Sequence, residues 1–184
     1  MRHETPRNPT LILAFATGLA LIAFQIWLLF SPQQPLFERP IHLAAALVLL
    51  FLYRPLTTDA LPKWLRVAID TSLILASVAV LGYYLTGFER LTTRMENVSP
   101  IFPIDLVFGA ILVFLLLEGA RRAVGWVLVW VLLVFIAYAF WGDVLPGWLK
   151  FRGFETDAAI EITTMTTAGV LGITTATSVS FIFY

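Results

Sequence analysis

Arg66 and Asp70 stand four residues apart in Trp64–Thr86, a run otherwise apolar enough to cross a membrane. Intramembrane acids often mark ion or proton pathways. The four-residue spacing also puts both side chains on one helix face. The expected reading is therefore a structural pair near the interface, with the arginine snorkelling outward. A second group, Glu118, Arg121 and Arg122, separates the uncharged runs Val107–Leu117 and Ala123–Gly142. One arginine or aspartate at the bilayer centre costs about 2.5–3.5 kcal/mol, so three would cost on the order of 8–10 kcal/mol. These charges are expected at a membrane surface, in a tight turn between two spans. Gly119 suits a helix C-cap there, and Glu118 can pair with Arg121 or Arg122. One long bent helix with the cluster buried against protein is the alternative.

His42 follows Arg39 and Pro40 at the head of Ile41–Tyr53. A histidine can relay protons, but the only other one is His3, so an interfacial helix-start residue is expected. The end of the chain, ITTMTTAGVLGITTATSVSFIFY, is rich in threonine and holds Gly169 and Gly172. Hydroxyls and unwound backbone can bind sodium where a transporter helix breaks. The same residues also allow helices to approach closely, which is the expectation from composition. Asp157 and Glu161 have helical spacing and are expected at a solvated helix start. The run Phe181–Tyr184 stops without a polar exit, as a chain cut short would.

Placing these residues requires helices of membrane length. Of 184 residues, 59% are hydrophobic and 13% charged, about half the charge of a soluble domain. Thr10–Phe30 is a full span of twenty-one residues, longer than a secretory signal core and lacking small residues at its end. Ile41–Tyr53 is a short second run, tilted, partly buried or re-entrant. Trp64–Thr86, Ile101–Leu117 and Ala123–Gly142 complete about five spans of roughly the necessary 20 residues each. Trp27, Tyr53, Trp64, Trp126 and Trp141 mark run ends, where aromatic belts form. The fold class is all-α, a polytopic helical membrane bundle with the start of another helix near the end. With the N-terminus inside, seven basic residues lie on the cytoplasmic side against five outside, a slight positive-inside bias.

Several function classes lose support on the same composition. Net charge is zero with twelve residues of each sign, so no basic stripe suited to nucleic acid stands out. There is no cysteine, and two histidines make a metal site improbable by ligand count. No phosphate-binding glycine loop, G-x-S-x-G or H-E-x-x-H motif occurs. Neither catalytic residues nor a bound cofactor are expected.

Three stretches, RPIHLAAALVLLFLYRP, LLLEGARRAVGW and AGVLGITTATSVSFIF, occur in that order over most of residues 38–184. Together they resemble the N-terminal part of fused permeases of tripartite ATP-independent periplasmic (TRAP) transporters. In that family a small membrane subunit precedes a much larger one. The resemblance implies a small-subunit-like domain with connecting helix over 1–142, a linker over 143–157, and the opening of the large permease domain over 158–184. It also implies symport of an organic acid, driven by a sodium or proton gradient and fed by a periplasmic solute-binding protein. The small part would act as scaffold, and the ion ligands would lie outside this chain. The partners implied are lipid, the large permease part and the solute-binding protein, in a bacterial or archaeal inner membrane. One departure is local: a proline is expected soon after Gly172, where this chain has Ile173 and Thr174.

Overall fold

A computed structural model describes residues 8–58, 60–95 and 98–181. His3, Arg2, Arg7 and the run from 182 to 184 lie outside the described residues. Among the described residues five helices are long and apolar enough to cross a membrane, and the chain is a polytopic helical membrane protein. They are α1 (Asn8–Phe30), α2 (Pro35–Tyr53), α3 (Lys63–Thr86), α5 (Pro103–Ala123) and α6 (Trp126–Trp141, its apolar span reaching Val144). A short α4 (Phe88–Thr93) lies between α3 and α5. After α6 come α7 (Thr156–Ile160), a π-helical turn at Glu161–Met165 and α8 (Ile173–Phe181).

The second span corrects the short reading of Ile41–Tyr53. Pro35 occupies the first turn of α2, where a missing N–H costs nothing. The helix then continues through Pro40, which cannot donate to the Leu36 carbonyl one turn back. Two prolines and two charges, Glu38 and Arg39, lie in the stretch that precedes Ile41. The prolines' spacing of five residues fits one at the helix start and one at a buried interior position.

The core lies between α2, α3 and α5. On α5 the buried positions are Asp105, Gly109, Leu112, Leu115 and Gly119, steps of three and four that form one stripe. Phe51, Leu112, Leu115 and Leu171 are almost wholly enclosed. By contrast α6 buries only Val129 and α1 exposes Ile12 and Phe15. Large apolar side chains on outer faces are what lipid contact requires.

The turn between α5 and α6 is present, but it falls later than Gly119. The helix runs through Glu118, Arg121 and Arg122 and ends at Ala123, and the Val124 and Gly125 N–H groups both donate to the Ala120 carbonyl. Gly125, at φ 113°, supplies the left-handed residue that reverses the chain. Gly119 has a packing role instead: a Cβ there would lie 3.1 Å from Leu50 Cδ2 and 3.3 Å from Leu47 Cδ2.

Residues 156–181 form a single interrupted element rather than a simple close-packed helix. After the π turn, the backbone unwinds over 166–172 before α8 begins. Gly109 is what allows this element to touch α5. A Cβ at Gly109 would collide with Ile160 Cγ2 and reach 2.9 Å from Thr164 Oγ1. Gly109→Ala is expected to cost about 1–3 kcal/mol by overpacking, read as a lowered unfolding midpoint in detergent. An unchanged midpoint would contradict this contact.

Candidate functional site

Charged and polar side chains gather in three places, and each ties together elements distant in sequence. At the end of the bundle where α5 turns into α6, Arg122 is the hub. Its side chain is only 4% exposed. Nη1 donates to Asp70 Oδ1 at 2.6 Å and to the Arg54 carbonyl at 3.0 Å, while Nε donates to Glu118 Oε1 at 2.7 Å. Arg121 holds Glu118 from the other side through Nε and Nη2, both at 2.7 Å. Glu118 therefore pairs with both arginines, not one. The guanidinium carbons also lie over aromatic rings, Arg122 5.1 Å from the Phe51 centroid and Arg121 5.4 Å from that of Trp126.

Asp70 is not the partner of Arg66. Its carboxylate accepts from Arg122 and from the Leu56 N–H at 3.1 Å, which caps the loop after α2. The four-residue spacing pointed to Arg66 because only local neighbours are visible in a helix pattern. The actual partner is fifty-two positions away. Arg66 Nε is buried and has no hydrogen-bond partner among the described residues.

The opposite end holds a network that the sequence reading missed. Asp105, at 0% exposure, takes Arg90 Nη2 at 2.6 Å and Nη1 at 2.8 Å, the Tyr83 hydroxyl at 2.7 Å and the Phe102 N–H at 3.0 Å. The last bond closes the first turn of α5. The hydrogen bonds that Arg90 donates to Asp105 raise it above its ordinary pKa, so it stays a cation. Arg94 lies 4.0 Å from Asp105 and 2.9 Å from Glu161 Oε1. Glu161 is thus buried on the interrupted element, not solvated at a helix start. The Tyr84 hydroxyl donates to the Thr164 carbonyl at 2.5 Å, fastening the π turn to α3. The available signal was the aspartate two residues after Pro103, a helix N-terminal position, facing arginines four residues apart in the preceding segment.

His42 forms the third group and is a correction as well. It is buried, on the second turn of α2 and not at a helix start. Gln25 Nε2 donates to His42 Nδ1 at 2.7 Å, so Nε2 carries the imidazole proton and donates to Ser178 Oγ at 3.0 Å. Three residues earlier, Arg39 Nη1 donates to the Leu171 carbonyl at 2.6 Å. One face of α2 thus holds both the unwound segment and α8. An open cleft of about 400 Å³ lies there, lined by Arg39, Thr167, Thr177 and Ser180 among others.

Chemically, these groups neutralise charge and bind backbone. No cluster of three metal-ligating side chains occurs among the described residues. The carbonyls of the unwound segment face Arg39 at Leu171 and Gly172. The chain matches no family model, and no curated protein or solved structure shows significant similarity to it.

Proposed function

We propose that this chain is the scaffold part of a TRAP-type secondary transporter for organic acids in a bacterial or archaeal inner membrane. In this reading it holds a large permease part in place, a solute-binding protein delivers the substrate, and a sodium or proton gradient drives uptake. The chain alone does not transport. The observation that carries the reading is the interrupted element 156–181, held by Arg39, His42, Arg94 and Tyr84. Discontinuous helices supported by a rigid neighbour are a recurring device of secondary transporters. The ordered motifs around His42, Glu118 and Gly169 support the same reading.

Proteoliposomes provide the test. With binding protein, labelled organic acid and an imposed ion gradient, the 184 residues alone are expected to take up no more than empty vesicles. Joined to a large permease part, they are expected to show gradient-driven uptake. Robust uptake by the isolated chain removes the scaffold role, and a joined pair that never transports removes the transporter reading.

A second reading is a self-contained membrane scaffold that binds partners without transport. It draws on the ion pairs of both ends, which close among the chain's own helices. A monodisperse detergent-solubilised chain that assembles with no permease part favours it.

A further inference from the structure

We propose that the first turn of α3 is a binding site for the phosphate of an anionic phospholipid, with Arg66 as the principal ligand and Lys63 as the second. The site goes beyond the transporter reading and does not depend on it.

The argument begins with Arg66. Its natural partner, Asp70, is engaged by Arg122 and by the Leu56 N–H. Arg66 is left half-buried, with a buried Nε that no acceptor among the described residues satisfies. No described carboxylate forms an ion pair with it. The rest of the guanidinium is not enclosed; an N–H left without an acceptor is costly, so the acceptors of its Nη groups must come from the surroundings. Lys63 lies three residues earlier, on the same helix face, and is exposed without an ion-pair partner among the described residues.

Depth selects the ligand. Arg66 lies one turn before Asp70, which Arg122 at the end of α5 reaches, and Lys63 lies one turn further out as the first residue of α3. Trp64 and Trp126 are exposed there, 71% and 58%, as aromatic side chains are at headgroup level. An acceptor at that level with several anionic oxygens is a lipid phosphate, and Arg matches its geometry.

The charge distribution agrees. Among the described residues this end carries five basic and two acidic residues, and the opposite end five and seven. A net charge of zero therefore hides a surplus of three positive charges at one end. Basic clusters beside spans attract anionic leaflets, by about fivefold in affinity per residue.

Purified chain in nanodiscs tests the site, with phosphatidylglycerol as probe and phosphatidylcholine as neutral control. Native mass spectrometry reads the lipid retained after the belt is removed. Phosphatidylglycerol is expected to be retained preferentially. Lys63→Gln should lower retention about fivefold and Arg66→Gln by at least as much, with Arg66→Lys between Arg66→Gln and the parent. Lys63 is exposed, so that variant reports even where Arg66→Gln fails to fold. Equal retention of the two lipids overturns the proposal, as does unchanged retention in Lys63→Gln. Displacement by millimolar inorganic phosphate assigns the site to free phosphate and overturns it too.

Discussion

Asp105→Ala is expected to lower stability by roughly 3–5 kcal/mol, the cost of breaking a buried pair by removing one partner. The side chain is wholly buried and accepts from four donors on three elements. Its loss leaves the Tyr83 hydroxyl and the Phe102 N–H unsatisfied. Arg90, 37% exposed, can turn to water, which keeps the cost from rising further. Arg94 keeps Glu161. Asp105→Asn retains an acceptor and should lose distinctly less. Denaturation from mixed micelles, followed by tryptophan fluorescence, measures both. A loss under about 1 kcal/mol for Asp105→Ala would falsify the buried-hub assignment.

Arg122→Ala is expected to cost about 3 kcal/mol, at the lower end of the same range because water reaches headgroup depth. Arg122 serves two carboxylates and the Arg54 carbonyl together. Glu118 still has Arg121, whereas Asp70 keeps only a backbone N–H. The unpaired charge on Asp70 is therefore the larger part of the loss. It follows that adding Asp70→Asn to Arg122→Ala should restore stability rather than reduce it further. The same unfolding assay decides this: a double variant less stable than Arg122→Ala places the cost elsewhere, in the Phe51 contact or in the carbonyl.

The spans were legible because lipid imposes one requirement along their whole length: about twenty apolar residues with aromatic ends. Thr10–Phe30 needed almost no revision. What stayed hidden depended on contacts between helices. Pro40 looked like a helix start because proline usually is one, and only tertiary packing keeps α2 intact through it. Asp70 was assigned to Arg66 because a helix pattern shows positions three and four away, never an arginine on another span. Asp105 and Glu161 sat at segment edges, where charge is ordinarily solvated. Burial there depends on a partner across the fold, which spacing cannot reveal. The break at 166–172 was visible as glycine and threonine, but those residues serve close packing and unwinding equally well.

The antiparallel pair α3 and α5 is fastened twice. Asp70 holds Arg122 near one rim, and Tyr83 holds Asp105 near the other. Thirteen residues separate the two points on α3 and seventeen on α5, about 20 and 25 Å of helix. A rod pinned to its neighbour at two such distant points cannot slide along it like a piston, because any axial shift breaks both fastenings together. Bowing and slight rolling of the apolar middle remain, since that contact is non-directional. A frame stiff against sliding and compliant in flexure can resist an axial load applied through residues 156–181.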